Sequence, residues 1–229
     1  MTPPQGAGAD DPEALNDAEE QTQVPFDPDD EPAAEAPAAE APAAEAPAPA
    51  AEAIAKLTAL VPPPAEPVET GEAGRWGEVE AALGTALPSD YKALIGTYGS
   101  GRFGDFLYLF NPFAPSGDGN LADEKDAVLA DYAESRAKFP ERYPLPPFPE
   151  PGGVLPLGRT DNGDELYWIT EGEPDAWPVA LFGSRESEHE RHEGGVASFL
   201  TACAEGRLET AIMPRSMTKS SGLEFAPFE

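Results

Sequence analysis

Basic residues are scarce in this chain, and its first fifty positions contain none. The 229 residues hold 14 Lys and Arg against 43 Asp and Glu, a formal net charge of −29. Residues 1–50 contain 13 acidic side chains and no Lys or Arg, so that stretch alone carries −13. The remainder holds 30 acidic and 14 basic residues and carries −16. A field of this sign repels phosphate backbones, which argues against a DNA or RNA ligand. It disfavours anionic membrane surfaces for the same reason. A basic protein is the natural complement. Cysteine is nearly absent as well: Cys203 stands alone, so neither an internal disulfide nor a zinc ribbon can be built. No stretch approaches the ~20 apolar residues of a membrane-spanning helix. The first 30 residues lack the basic start and apolar run of a secretory signal. These absences predict a soluble, cytoplasmic protein. The excess of Ala, Pro, Gly, Glu and Asp resembles a high-GC bacterial proteome.

What is present divides the chain into three parts: a leader over 1–50, a folded domain over 51–210, and a C-terminal extension over 211–229. Between Pro32 and Ala46 the unit Pro-Ala-Ala-Glu-Ala occurs three times, and a frayed copy follows to Ala53. Asp10 to Glu31 is acidic, with Leu15, Val24 and Phe26 as its larger apolar groups. Such a segment cannot bury enough apolar surface to offset its ordering entropy. A proline every fifth residue also blocks a continuous helix. The composition predicts a disordered, self-repelling acidic tail of Ala, Pro and Glu, which serves as a solubilising leader or spacer. A sharper alternative makes it a docking tail for a basic partner, with Val24-Pro25-Phe26 as its apolar anchor.

Periodic apolar spacing begins at Ala51. Ile54, Leu57 and Leu60 predict a helix that Pro62-Pro63-Pro64 stops. Trp76, Val79 and Leu83 predict a second helix ending at Gly84. Pro88-Ser89-Asp90 suits the first turn of a third. Tyr91, Leu94, Ile95 and Tyr98 then form an apolar stripe. Phe103 and Phe106 to Phe110 form a short aromatic run between Gly and Asn-Pro, which predicts one strand inside a sheet. Residues 120–139 return to helical spacing until Pro140. Seven prolines from there to Pro156 mark a long surface loop. Val154 to Gly158 and Glu165 to Thr170 read as strands. Asp161-Asn162-Gly163-Asp164 between them reads as a hairpin turn, because Asn-Gly tolerates positive φ at both central positions. Pro178 to Phe182 predicts a further strand, and Val196 to Cys203 a last helix after a charged loop. Leu223 and Phe225 could add an edge strand or pack as an ordered tail. Strands joined by hairpins, with helices set apart from them, mean an α+β fold with a central antiparallel sheet and helices outside it.

No residue set carries positive evidence for an enzyme. His189 and His192 stand at i, i+3, without the spacing of the zincin helix. They read as part of a solvated charged loop rather than a metal site. Cys203 sits at an apolar helical position and reads as an inert buried thiol. Gly99, Gly101 and Gly104 lack the Lys and helix start of a phosphate loop. Among the tryptophans, Trp76 and Trp168 read as core. Trp177, flanked in a loop by Asp175 and Pro178, reads as the exposed one and hence as a binding anchor.

Two stretches resemble the SUKH superfamily, in its branch named after the yeast cell-wall assembly regulator. The first is Trp76-Gly77-Glu78-Val79-Glu80-Ala81-Ala82-Leu83-Gly84, then Leu87-Pro88-Ser89-Asp90-Tyr91-Lys92 and Tyr98-Gly99. The second is Leu155-Pro156-Leu157-Gly158-Arg159-Thr160-Asp161-Asn162-Gly163-Asp164, leading into Leu166-Tyr167-Trp168. The closing Phe199-Leu200 helix also fits, so the resemblance spans about residues 52–207. It implies an α+β binding module without catalytic residues, cofactor or metal. Bacterial members resemble immunity proteins, which bind and neutralise toxin domains, many of them nucleases or deaminases. The expected partner is therefore a basic toxin domain, blocked by occlusion. Candidate contacts are Asp105, Asp161, Asn162, Asp164, Asp175 and Trp177, on the hairpin and in the loop after Ile169. A regulatory scaffold for host partners is the alternative, and an enzyme or metal protein the remote third.

Overall fold

The computed structural model describes residues 48–72, 74–185, 189–218 and 223–228. The repeats and the Val24-Pro25-Phe26 segment lie outside the described residues. The first described element, α1 (Ala48–Leu60), buries Ala50, Ile54, Leu57 and the following Val61. Leu60, expected on that face, is instead 40% exposed. A step of four residues from Leu57 reaches Val61, which continues the buried stripe more closely than a step of three. Then come α2 (Trp76–Leu83) and α3 (Ser89–Tyr98). Gly84 ends α2 at φ +76°, a left-handed cap that glycine adopts without side-chain strain. The stripe Tyr91, Leu94, Ile95 and Tyr98 is fully buried. The Tyr91 hydroxyl donates to the Phe110 carbonyl at 2.5 Å, and that of Tyr98 to the Val61 carbonyl at 2.6 Å. Each large ring thereby enters the core with its polar tip satisfied.

The aromatic run expected as one strand is a hairpin. β1 (Gly101–Phe103) and β2 (Leu107–Leu109) are joined by a turn in which Gly104 and Asp105 take positive φ. The glycine admits the turn that the apolar pattern concealed. Helix α4 (Leu121–Lys138) follows, capped by Asn120, whose side chain accepts from the Ala122 backbone N–H at 2.9 Å. After the proline loop come β3 (Val154–Thr160), β4 (Glu165–Ile169), a 3-10 turn (Pro174–Ala176), β5 (Val179–Phe182) and β6 (His189–His192). Helix α5 (Val196–Ala204) and β7 (Phe225–Pro227) complete the elements.

The seven strands form one antiparallel sheet in the order β6-β5-β4-β3-β2-β1-β7. Neighbouring residues of β4 show how it is covered, because successive side chains on a strand point to opposite faces. Trp168 meets Tyr91 of α3 edge-on at 4.8 Å. Tyr167 meets Tyr132 of α4 at 5.5 Å. Thus α3 covers one face, with α1 and α5 packed beside it, and α4 covers the other. This is the α+β arrangement of a central antiparallel sheet with helices outside it. Among the described residues no helix is long and apolar enough to cross a membrane.

Candidate functional site

In an antiparallel sheet of this order the β1–β2 and β3–β4 turns emerge at the same end. Leu107 is paired with Thr160, which places the turns side by side. The Asp161 backbone N–H donates to the Phe106 carbonyl at 3.0 Å and locks them together. Asp105, Asp161 and Asn162 are exposed there. Arg102 Nη1 donates to Asp161 Oδ2 at 3.1 Å, across a pair whose side chains are each about 40% exposed. Phe106 is half-buried between the two acidic turns. It was expected within a strand, and the turn geometry gives it this position instead. The structure therefore brings together three of the six expected contacts.

The other three are held by the fold. Asp164 is only 3% exposed. Its carboxylate accepts from the Thr160 hydroxyl at 2.8 Å and from the Ser184 backbone N–H at 2.9 Å. The Ser184 hydroxyl adds a third bond at 3.1 Å. Asp164 thus fastens the β3–β4 turn to the chain leaving β5. The expected turn geometry also changes: Gly163 takes φ +80°, while Asn162 is not among the residues of positive φ.

Trp177, expected to stand out as an exposed anchor, is 3% exposed. It packs 6.4 Å from Trp168, and its indole N–H donates to the Gly172 carbonyl at 3.2 Å. Its flanking Asp and Pro mimic a surface loop, but the 3-10 turn before it directs the ring inward. Asp175 is exposed but engaged: Oδ1 accepts from the backbone N–H of Ser89, the first residue of α3, at 2.6 Å. Asp90 acts similarly on α5, accepting from the Ala197 backbone N–H at 3.0 Å. Both carboxylates satisfy donors that a helix start leaves unpaired. Burial raises the Asp90 carboxyl above its ordinary value, opposed by backbone hydrogen bonds from Ala197 and Tyr91. A Cβ on Gly195 would fall 2.3 Å from Asp90 Oδ2, so only glycine leaves room for this cap.

The charged loop expected before the last helix contains β6. Three residues apart on a strand, His189 and His192 face opposite ways. His189 stacks on Phe182 at 4.8 Å, and His192 lies edge-on to Phe199 at 5.6 Å. The pair therefore does not converge on a common ligand. Among the described residues, no group of three or more His, Cys, Asp and Glu is arranged to hold a metal ion. Cys203 is fully buried, and burial pushes its thiol up to about 12. It is a protonated, packed side chain at neutral pH rather than an accessible nucleophile.

A half-buried polar cluster lies on the α4 face of the sheet. Arg159 reaches Glu124 of α4 at 3.5 Å and Glu165 of β4 at 3.6 Å, while the Tyr167 hydroxyl donates to Glu165. Burial raises the Glu165 carboxyl, and its hydrogen bond to Tyr167 and the charge of Arg159 oppose the rise. The cluster ties α4 to the sheet.

Helices on both faces of an antiparallel sheet, with exposed acidic turns at one end, define an α+β scaffold that presents loops. A family model described as SUKH_6, SMI1-KNR4 cell-wall, matches residues 74–200, more than half of the chain, and the chain belongs to that family. The match runs from the approach to α2 into α5. Helix α1 and strand β7 lie outside it, although β7 pairs with β1 in the same sheet. No curated protein and no solved structure gives a significant match.

Proposed function

We propose that this chain is a non-catalytic protein-binding module of the immunity type, which binds and neutralises a toxin domain by occlusion. The observation that carries the reading is the family match over residues 74–200. The excess of acidic over basic residues supports a basic partner, such as a nuclease or deaminase domain whose active site accommodates nucleic acid. An acidic surface speeds encounter with such a site and blocks it once docked.

The surface proposed for that contact is the sheet end bearing Asp105, Asp161 and Asn162, with Phe106 as its apolar element. Asp164, Asp175 and Trp177 would act through the fold instead: Asp164 by holding the turn, the other two by supporting the opposite end. The test is co-purification with candidate nuclease and deaminase toxin domains, followed by rescue of toxin-arrested growth. Reversing Asp105 and Asp161 to Lys should slow association about tenfold at low salt and flatten its salt dependence. Unchanged association kinetics would discard this surface. The cell-wall wording of the family description favours a second reading, a regulatory adaptor for host proteins. Recovery of the same host proteins in place of a toxin would favour it.

A further inference from the structure

β6 is the outermost strand at one side of the sheet, and no described strand pairs with its outer edge. Its register opposite β5 pairs Glu190 with Leu181 and His192 with Val179. Phe199 of α5 meets the His192 ring, so Glu190 and His192 face the side that α5 covers. A groove of about 380 Å³ opens there, floored by Val179, Leu181 and Phe199 and rimmed by charged side chains.

The rim charges are not balanced. Arg191 is neutralised by Glu193 at 2.5 Å and Glu171 at 3.2 Å, and Arg207 is paired with Glu205, which Lys56 shares at 3.5 Å. Glu190 uses one oxygen to accept from the Ala211 backbone N–H at 2.6 Å, leaving the other for a ligand. Glu209 is exposed and has no ion pair among the described residues. Burial lowers the His192 pKa below its usual value, so the ring adds no countercharge at neutral pH. The groove thus combines an apolar floor with carboxylates that lack cations. That chemistry matches the aliphatic stem and charged head of a Lys or Arg side chain.

We propose that this groove receives a lysine or arginine side chain of a partner protein, carried on an extended segment that lies along the outer side of β6. The stem lies against Ala202 and Leu208, beside the buried Val179, Leu181 and Phe199, and the head group reaches Glu190 and Glu209. Main-chain hydrogen bonds to β6 hold the segment in register. The strand itself, His-Glu-Arg-His, is too charged to recruit apolar strands indiscriminately. The inference rests on the reading that the partner is a basic protein. It adds a contact separate from the turn end.

The test titrates the isotope-labelled full chain with a blocked Thr-Val-Arg-Val-Thr peptide at millimolar concentration, beside the same peptide with Glu replacing Arg. The arginine peptide should shift amide signals at residues 189–193 and the Phe199 ring, and the glutamate peptide should not. Glu209→Lys, at an exposed position, should weaken the arginine peptide about tenfold. Equal shifts from both peptides, shifts scattered over the acidic surface, or no shift would overturn the proposal. A toxin that binds Glu209→Lys with unchanged affinity overturns the groove and leaves the immunity reading intact. A specific peptide response in a chain that binds no toxin upholds the groove and overturns that reading.

Discussion

Replacing Asp164 with Ala separates a residue that builds the turn end from one that lines it. The carboxylate receives three hydrogen bonds, from the Thr160 hydroxyl and from the backbone and hydroxyl of Ser184, at 2.8–3.1 Å. At about 1 kcal/mol net each, their loss costs about 3 kcal/mol. Ser184 is exposed and can turn to water, so about 2–3 kcal/mol is the better figure. For a domain of this size about 1 kcal/mol moves Tm by about 2–4 °C, so Asp164→Ala should melt about 4–12 °C lower. The side chain of Asp161, three residues away, is tied only by an ion pair between exposed groups, and its backbone bond to Phe106 survives truncation. Such a pair contributes about 0–1 kcal/mol, so Asp161→Ala should melt within about 4 °C of the parent. Differential scanning calorimetry on the two variants decides. If Asp164→Ala melts with the parent, its hydrogen bonds are not holding the turn, and the division between structural and contact residues fails.

Trp177→Ala should lower stability by about 3–5 kcal/mol in urea unfolding, because it empties a buried site beside Trp168. A loss below about 1 kcal/mol would return Trp177 to the surface. Asp175→Ala removes the carboxylate at the start of α3 and should cost about 1 kcal/mol in the same assay; no loss would mean water serves Ser89 equally well. For Asp90 the sign follows from the raised carboxyl: the folded state holds the proton more tightly than the unfolded one. Its stabilising contribution is present below the unfolded pKa and is lost as pH rises through the folded value. Asp90→Asn removes that loss, so its stability relative to the parent should rise as the pH is raised above the ordinary carboxyl value of 3.8. A difference independent of pH would contradict the assignment.

The helical side of the fold was legible because its signals are local. Tyr91, Leu94, Ile95 and Tyr98 fall on one face, and Gly84 marks the end of a helix, whatever surrounds them. The second stretch of family resemblance likewise coincides with β3 and β4. What remained hidden depends on partners distant in sequence. β6 has no apolar alternation, and pairing with β5 makes it a strand. Asp164 looks like any turn aspartate until Ser184, twenty residues on, arrives to bond it. Trp177 is flanked as a surface residue would be, yet Trp168 and the Gly172 carbonyl draw it inside. Phe103 and the run from Phe106 to Phe110 read as one strand because their apolar rings conceal the turn at Gly104 and Asp105 between them. Of the candidate site, the exposed part was legible at Asp105, Asp161 and Asn162, where acidic turn residues need no tertiary partner to stay on the surface. The groove beside β6 was not, since its floor joins β5 to α5.

The central claim is that this SUKH-family chain neutralises a basic toxin domain by binding it. The deciding measurement is isothermal titration of the full chain with the toxin domain that it rescues cells from, with toxin activity assayed on the same mixtures. The account predicts a one-to-one complex, affinity that falls as salt rises, and activity lost in proportion to the fraction bound. A toxin that stays active when saturated with this chain, or that forms no complex with it at low salt, would contradict the account.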